Sequence, residues 1–585
     1  MSKSQVAERS VVYALKTAVE PAFNDSFDLL ATAPKGVVKL RELILVLAVR
    51  GKLSSQECGD EPIDALLAAI ATQVAPGAGR REKRKHETVV DEGPYSIPAR
   101  WKWVRLGELG KVLGGGTPRS DDPSLWASGN GVPWLTPADL YGLRDKMIGR
   151  GRRDISDAGL RKSSAQLLPR GSVLFSSRAP IGYVAIAAIP LATNQGFKSC
   201  VPHVHGLADY LYWFLKYAGK GIDAAASGTT FKEISGAEFS KVLVPLPPLA
   251  EQARIVARVE ELMQLCDALE AHGRLQDEQH ARLVATLFDA LAASASAEEL
   301  AENWQRIATH FDLLLDRPEA VDTLEKTLLQ LAVRGLLVPQ DPTDEPASQL
   351  LNRIANEKRR LVDLGKIKQE RLPPAANRGS PAFGLPSEWE WAKLGQIATL
   401  VTDGAHHTPQ YLPDGVPFLS VKNLSTGCLD FSVTRFISEL AHADLIKRCN
   451  PELGDLLLTK IGTTGIAVVI DDPRPFSIFV SVALIKLPSE LMDRDYLCLV
   501  INSPFVRKQS EDGTEGVGNK NLVLRKIKAF DIPLPPLAEQ HRIVIRVEQL
   551  RRLCADLREH LQQARTTQSR LADALVSAAA QSSSC

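Results

Sequence analysis

The feature that most constrains the fold of this chain is an internal repeat. Residues 245–270 read PLPPLAEQARIVARVEELMQLCDALE, and residues 533–558 read PLPPLAEQHRIVIRVEQLRRLCADLR; 18 of these 26 positions are identical, at an offset of 288. A second pair, LAVRGKLSSQECGDEP at 47–62 and LAVRGLLVPQDPTDEP at 331–346, matches at 10 of 16 positions, at an offset of 284. The chain therefore contains two related units.

A third pair completes the repeat. IPARWKWVRLGEL at 97–109 and LPSEWEWAKLGQI at 385–397 share their proline, both tryptophans and Leu-Gly. Each unit thus runs from LAVRG–DEP through a W-x-W segment and an insert to PLPPLAEQ. The inserts, roughly 105–240 and 393–530, resemble each other only faintly. Similar frames around divergent inserts predict a scaffold that presents two different binding surfaces.

The segments that follow PLPPLAEQ are predicted to be long helices, the first from about 250 to 294. Pro248 and Pro536 suit a helix start, where an N–H would be unpaired anyway, and Glu251 and Glu539 favour the first turn. Apolar residues then recur in steps of three and four, as in a coiled-coil seam. The predicted seam contains Ile255, Val259, Leu262, Cys266, Leu269, Leu283, Leu287, Ile543, Val547, Leu550, Cys554, Leu557, Leu561, Leu571 and Leu575. A polyproline ligand and a dimerisation coiled coil are the alternatives.

Composition limits the function classes. With 44% apolar and 24% charged residues and a net charge of +1, the chain is neither wholly disordered nor a polycation. The first insert carries 16 Lys and Arg against 11 Asp and Glu, and the second 15 against 15, so the remaining frame has a balance of −4. Eight cysteines without a C-x-x-C pair, and no apolar run near 20 residues, predict a cytoplasmic protein with reduced thiols.

Polar loops of the two inserts are the candidate binding sites. Such side chains suit hydrogen bonds to base edges and contacts to phosphates, although each one is also typical of a solvated loop. The candidates are Gly115, Thr117, Arg178, Asn194, Gln195, Thr229, Thr230 and Lys232 in the first insert, and His406, His407, Thr408, Lys422, Asn423, Lys460, Thr463, Asn519 and Lys520 in the second. The basic residues Arg144, Lys146, Arg150, Arg152 and Arg153 suit either phosphate contacts or a solvated face, and RREKRKH at 80–86 predicts an exposed helix or linker.

No motif predicts catalysis. The chain has no G-x-x-x-x-G-K-[ST] loop and no glycine fingerprint for a dinucleotide or S-adenosylmethionine. Asn502-Ser503-Pro504-Phe505 faintly resembles the Asn-Pro-Pro-Tyr/Phe loop of adenine methyltransferases, but an ordinary turn is favoured. His203 and His205, like His406 and His407, lack Cys or carboxylate partners at ligand spacing, so no metal site is predicted.

The repeated PLPPLAEQ-x-R-I-V-x-R-V-E-x-L helix after a variable insert resembles the specificity (S) subunit of type I restriction–modification systems. LAVRG…DEP before each insert is similar to the type IB branch, and the segments around GGGTP at 114–118 and TDGAHHTPQY at 402–411 resemble two different target-recognition domains. The implied fold is α/β: two globular target-recognition domains with mixed or antiparallel β-sheet, separated by long antiparallel coiled-coil helices in a pseudo-twofold repeat. The expected regions are an N-terminal helical region (1–95), a first target-recognition domain (96–244), a central helical region (245–382), a second target-recognition domain (383–532) and a C-terminal long helix (533–585).

The resemblance also implies a function. The chain would be a non-catalytic reader of double-stranded DNA, in which each target-recognition domain reads one half of a bipartite, asymmetric site and the helices fix the spacer. Two modification subunits would supply S-adenosylmethionine-dependent adenine methylation, and two restriction subunits would supply ATP- and Mg-dependent cleavage. No cofactor is expected on this chain itself. The alternative from a different class is a duplicated coiled-coil adaptor whose inserts bind proteins.

Overall fold

The computed structural model describes residues 30, 33–74, 89–90, 92–178, 180–226, 232–369, 383–516 and 520–581. The chain divides into two compact units. Unit one comprises Met1–Gln276 and Ala564–Cys585, and unit two comprises Asp277–Gln563. Within the described ranges, no helix is both long and apolar enough to cross a membrane.

The helices are α1 (Gly36–Val49), α2 (Ile63–Val74), α3 (Leu106–Leu109), α4 (Asp157–Arg161), α5 (Leu207–Ala225), α6 (Gly236–Ser240), α7 (Leu249–Ala293), α8 (Ala297–Thr309), α9 (Phe311–Leu314), α10 (Pro318–Val333), α11 (Ala347–Asp363), α12 (Leu394–Ile397), α13 (Glu439–Leu445), α14 (Arg494–Asn502), α15 (Pro504–Asp512), α16 (Leu524–Lys528) and α17 (Leu537–Gln581). Short 3₁₀ helices span Pro123–Leu125, Pro137–Leu140 and Val421–Asn423.

The strands are β1 (Val89–Val90), β2 (Lys102–Arg105), β3 (Gly110–Gly114), β4 (Trp126–Ala127), β5 (Val132–Leu135), β6 (Met147–Ile148), β7 (Arg153–Ile155), β8 (Val173–Phe175), β9 (Val184–Ala187), β10 (Ala192–Thr193), β11 (Lys198–Pro202), β12 (Leu243–Leu246), β13 (Glu390–Lys393), β14 (Leu400–Asp403), β15 (Val416–Leu419), β16 (Arg435–Ile437), β17 (Leu456–Thr459), β18 (Ala467–Val469), β19 (Ser477–Ile478), β20 (Val482–Lys486) and β21 (Asp531–Leu534).

In the described part of unit one, the strands form three sheets. The W-x-W strand β2 lies between β1 and β12, antiparallel to both. A second sheet has the order β3-β11-β8-β9-β6, antiparallel except for the parallel pair β6–β9. A third has the order β10-β5-β7-β4, with β10 parallel to β5. Because β2 and β12 pair, the two ends of the first insert meet where the frame begins.

Unit two repeats this topology with fewer strands. Strand β13 pairs with β21 and closes the second insert. The order β14-β20-β17-β18 matches β3-β11-β8-β9, and the order β16-β15-β19 matches β7-β5-β10, including the parallel pair. The expected mixed helix and sheet fold, with two sheet-containing domains and long helices, is confirmed. The inserts also share one scaffold, which their faint sequence similarity did not reveal.

The two predicted long helices are α7 and α17, each of 45 residues. Each starts directly after the Pro-Pro pair of PLPPLAEQ, as expected. The predicted seam from Ile255 to Leu269 is buried, and Cys266 and Cys554 lie within cores, so both cysteines are packing residues. Burial raises the pKa of Cys266 to about 11.

The seam prediction is wrong at two positions. Leu283 and Leu571 are exposed, and the residue that follows each of them, Val284 or Ala572, is buried instead. In unit two, Val284 and Phe288 of α7 share a core with Cys554 of α17. The buried apolar positions in this part of each helix are therefore one residue later in the sequence than the predicted seam positions. The sequence permits this shift because a second apolar series, 284–288–291, has the same steps of four and three.

Candidate nucleic-acid interface

In the first insert, the ends of two strands bring several candidate residues together. After β3, the backbone N–H of Gly116 donates to Thr193 O at 2.8 Å, at the end of β10. A Cβ on Gly115 would lie 2.1 Å from Asn194 O, so only glycine allows this close approach. Thr117 Oγ1 donates to Gln195 Oε1. Thr117 and Gln195 are both exposed and form one polar surface.

A second junction joins β8 to the segment before α6. Ile234 N donates to Ser177 O at 3.1 Å, and Arg178 forms a backbone bridge with Glu233. Glu233 also accepts from Lys198 Nζ at 3.0 Å. The candidate Lys232 is exposed, and its Nζ lies 4.0 Å from Asp223 Oδ2. Thr229 and Thr230 lie outside the described residues.

The second insert makes the same junctions with different residues. Ala405 N donates to Ile478 O at 2.9 Å, at the end of β19, so Ala405 takes the place of Gly116. Counting along the chain from this pair, Asp403 takes the place of Gly114, and His406 takes the place of Thr117.

The junction after β17 can be aligned in the same way. Leu522 N donates to Lys460 O at 2.7 Å, so Lys460 takes the place of Ser177. Lys520, two residues before Leu522, corresponds to Lys232 and is likewise exposed. His407, Thr408, Lys422 and Thr463 are also exposed, whereas Asn519 lies outside the described residues.

The replaced positions in the second insert carry a charged cluster. Asp403, whose side chain is 4% exposed, accepts from Lys460 Nζ at 2.9 Å and from Arg448 Nη2 at 2.6 Å. His406 Nε2 lies 3.0 Å from Asp403 Oδ1. Burial raises the pKa of Asp403, but the hydrogen bonds from Lys460 and His406 outweigh it, and the net shift is downward. Asp403 is therefore a buried carboxylate that holds three basic side chains.

Asn423 has an internal role. Its Oδ1 accepts from Ser420 N at 2.9 Å, and its Nδ2 donates to Asp430 O at 2.9 Å. In the first insert, Asp139 accepts from Thr136 N at 2.8 Å in the same turn after the strand. Asn423 is buried and closes a loop of the scaffold, so its amide is engaged within the domain.

The basic cluster of the first insert is largely paired. Lys146 donates to Asp209 at 2.6 Å and to Glu260 at 2.5 Å, which ties the insert to α5 and α7. The Arg153 guanidinium lies 3.6 Å from the centre of the Trp126 ring. Arg150 forms an ion pair with Asp154, and Arg152 lies 4.0 Å from Asp139. Lys146 thus stabilises the packing of the insert on these helices, whereas the Arg152 side chain remains strongly exposed. The run 80–86 lies outside the described residues.

The frame contains a junction that the sequence reading missed. The indole Nε1 of Trp101 donates to Glu251 Oε2 at 3.0 Å, and Gln56 donates to the other oxygen of Glu251. Nearby, Arg254 Nη2 donates to Asp60 Oδ2 at 2.6 Å. LAVRG–DEP, W-x-W and PLPPLAEQ therefore meet at one point. The sequence signal that could have predicted this junction is that all three segments are repeated together in both units.

Unit two repeats this junction. Trp389 Nε1 donates to Glu539 Oε2 at 3.0 Å, Gln340 donates to Glu539 Oε1 at 2.7 Å, and Arg542 pairs with Asp344 at 2.6 Å. Burial raises the pKa of both glutamates, against the effect of their hydrogen-bond donors. The two frames thus match in their contacts as well as in their sequence.

The segment Asn502-Ser503-Pro504-Phe505, which faintly resembles a methyltransferase loop, joins two helices. Asn502 ends α14, and its side chain donates to Ala467 O at 2.8 Å and accepts from Ala467 N at 3.1 Å. Ser503 then caps α15. The segment is an ordinary turn between two helices. Across the described ranges, no three His, Cys, Asp or Glu side chains are grouped as metal ligands would be.

Comparison with known proteins agrees with this repeat. A family model described as type I restriction modification DNA specificity domain matches twice, at residues 98–277 and 386–564. The specificity subunit of the type I restriction enzyme EcoAI of Escherichia coli is 31% identical over 563 residues, which cover 93% of this chain and 94% of that protein. The EcoEI specificity subunit of Escherichia coli is 31% identical over 571 residues, with the same coverage.

Solved structures include the HsdS subunit from Thermoanaerobacter tengcongensis, with a TM-score of 0.39, 19% identity and coverage of 84% of this chain and 99% of that one. The family assignment depends on the two domain matches and on the full-length similarity to the Escherichia coli proteins. By these criteria, the chain belongs to the family of type I restriction–modification specificity subunits.

Proposed function

We propose that each insert domain reads one half of a bipartite, asymmetric site in double-stranded DNA. The observation that carries this proposal is a shared scaffold with different loop chemistry. Thr117 and Gln195 form the exposed polar surface of the first domain, whereas His406 and Arg448 stand beside a buried Asp403 in the second. Two copies of one fold with different side chains suit a target whose halves differ in sequence.

The matched frames support two equivalent docking sites for modification subunits. The junctions around Glu251 and Glu539 present the same segments in the same arrangement, so one partner surface would suit both. The modification subunits would hold S-adenosylmethionine and methylate adenine, and two restriction subunits would use ATP and Mg for cleavage. In this proposal the chain itself recognises DNA in the cytoplasm and performs no chemistry.

The long helices would set the spacer between the half-sites. Helices α7 and α17 each begin in one unit and end in the other, so each has a fixed length of regular structure between its two ends. An α-helix rises about 1.5 Å per residue, and its length is therefore set directly by its residue count.

The direct test is an exchange of the first insert. Residues 105–240 would be replaced with the insert of another family member, and the complex with its modification subunit would be expressed in cells. Sequencing of the methylated adenines should show one half-site changed and the other retained, with the spacer unchanged. A change in both halves, or in neither, would contradict the modular reading.

A salt titration separates this proposal from a protein-binding adaptor. Contacts to phosphates release counterions, so the affinity of the complex for a specific duplex should fall steeply as the salt concentration rises. An adaptor whose inserts bind proteins should show no preference for the methylated sequence at any salt concentration. The purified chain alone should methylate no DNA, because no modification subunit is present.

A further inference from the structure

The Asp403 cluster contains two lysine or arginine side chains for one carboxylate, which is one such cation more than its charge balance requires. Lys460, with a side chain only 5% exposed, already supplies a positive charge 2.9 Å from Asp403. Arg448 is a second cation on the same carboxylate, at 2.6 Å, and its side chain is 53% exposed. Lys460 therefore neutralises the buried charge, whereas Arg448 carries its own charge to the surface.

The pocket beside this cluster does not offset that extra charge. It has a volume of about 200 Å³, and its lining includes Asp403, His406, Asp444 and Arg448. Asp444 is exposed and pairs with Lys447 at 3.1 Å. Within this set Lys460 matches Asp403 and Lys447 matches Asp444, so the guanidinium of Arg448 is the unmatched charge.

The scaffold does not require this cluster. The first insert has Gly114 in the place of Asp403 and Ser177 in the place of Lys460, yet it makes the same backbone junctions. Burying an ion pair costs desolvation free energy. Since the first insert forms the same fold without this pair, the stability of the fold does not explain why the second insert has it. The charged residues are therefore expected to have a role in binding, in which the two domains differ.

Arg448 is held in a way that favours recognition of a flat polar edge. A guanidinium has five N–H donors in a rigid plane. Among the residues that the structure describes, Asp403 and, at 3.5 Å, Gly404 O engage its two Nη atoms and not Nε, and Nη2 also lies 3.2 Å from His406 Nε2. Further donors remain on the same plane, and their direction is restricted by the contacts to Asp403 and Gly404.

We infer that Arg448 reads a guanine in the half-site of the second insert, with Asp403 as its positioning residue. Guanine offers two acceptors, O6 and N7, on its major-groove edge, and a pre-oriented arginine is the side chain that most often binds both. This inference rests on the proposed function and names one base within it. Neither Arg448 nor Asp403 lies in one of the three repeated frame segments.

The test compares Arg448→Ala, Arg448→Lys and the matched control Arg474→Ala in the complex with the modification subunit. Arg474 is an exposed arginine of the same insert that pairs with Asp472 and does not line this pocket. Binding would be measured for duplexes that carry the methylated motif or one altered base pair in the second half-site. Both Arg448 variants should lose about tenfold to hundredfold of the preference for one G·C pair. Lysine should fail because it keeps the charge but not the planar fork. Arg474→Ala should leave the preference intact.

Several results would overturn the inference. These are a wild-type second half-site without guanine, an unchanged preference in both Arg448 variants, full rescue by lysine, or a change confined to the first half-site. Thermal unfolding of each variant, expected to stay close to wild type because Arg448 is half exposed, shows that the fold is kept. Failure of the proposed function would be seen in a different experiment: the exchange of residues 105–240 would then change both half-sites or neither. The Arg448 variants do not test that point.

Discussion

Trp101 donates its indole N–H to the buried carboxylate of Glu251 across 3.0 Å, and this bond ties the W-x-W strand to the first turn of α7. Ser54 donates to the same carboxylate at 3.1 Å, from the LAVRG–DEP segment. Three segments that are distant in sequence therefore depend on one side chain. The equivalent bond between Trp389 and Glu539 has the same length, so this contact is repeated in the second unit.

This junction predicts a pH dependence of stability. Burial raises the pKa of Glu251, so the folded protein holds that proton more tightly than the unfolded chain does. The variant Glu251→Gln does not titrate at this position. Relative to it, wild-type protein should lose stability as the pH rises from 4.5, the ordinary pKa of a glutamate, through the raised pKa of Glu251 in the folded protein. Above that window the difference should be constant.

The measurement is the thermal unfolding midpoint of both proteins between about pH 4 and about pH 8. Glu261→Gln on the same helix is the control, because the Glu261 side chain is 56% exposed. Its difference from wild type should vary less over the same range. Parallel curves for wild type and Glu251→Gln throughout would contradict the role assigned to burial.

The glycines of the two LAVRG segments should be irreplaceable for a common reason. Gly51 and Gly335 have φ angles of 69° and 72°, and each ends its helix with the backbone bonds of a Schellman turn. A Cβ at either position would lie 2.5 Å from the ring of Pro98 or Pro386. Alanine should therefore cost the left-handed backbone penalty and also displace a proline.

Gly142→Ala supplies the matched control. Gly142 has a φ of 74° but open space around its Cβ direction, so alanine there should cost only about 1–2 kcal/mol. Gly51→Ala and Gly335→Ala should cost roughly 1–3 kcal/mol more. Hydrogen exchange of α1 and α10 would report the two effects separately. Equal costs at all three glycines would show that the proline contact is unimportant.

The buried pair in the second insert predicts a non-additive effect. Asp403→Asn should destabilise the domain by about 3–5 kcal/mol, because it leaves Lys460 buried without its counter-charge. The double variant Asp403→Gly with Lys460→Ser, which copies the residues of the first insert, should recover most of this loss. Unfolding of the single and double variants measures the coupling. A double variant as unstable as Asp403→Asn would mean that the scaffold does depend on the pair.

Much of the frame could be predicted from sequence, because a repeat shows which segments must have the same structure. The starts of α7 and α17 and the buried face from Ile255 to Leu269 agree with prediction. Leu283 fails because Val284 and Phe288 offer a second apolar series one residue further on. Periodicity alone cannot choose between two such series when a packed partner decides which one is buried.

The inserts could not be predicted in the same detail. Their strands have only two to five residues, and their shared topology is visible in pairings such as β5 with β10, which are distant in sequence. Asp403 and Arg448 are separated by 45 residues, and no motif links them. Loop composition pointed to these loops as candidates, but it could not separate the exposed His406 from Asn423, whose amide closes an internal turn.

The proposed role of the helices gives a last prediction, on the spacer between the half-sites. An insertion of about four residues, one helical turn, within 270–276 of α7 and the equivalent 558–564 of α17 lengthens each helix by about 6 Å. Since B-DNA rises 3.4 Å per base pair, the preferred spacer should grow by about two base pairs while both half-site sequences are kept. Methylome sequencing of cells that express the variant with its modification subunit would show this directly. The same insertion in the exposed loop near Gly142 should leave the spacer unchanged. A stable helix variant that retains the wild-type spacer would show that distance is set elsewhere in the complex.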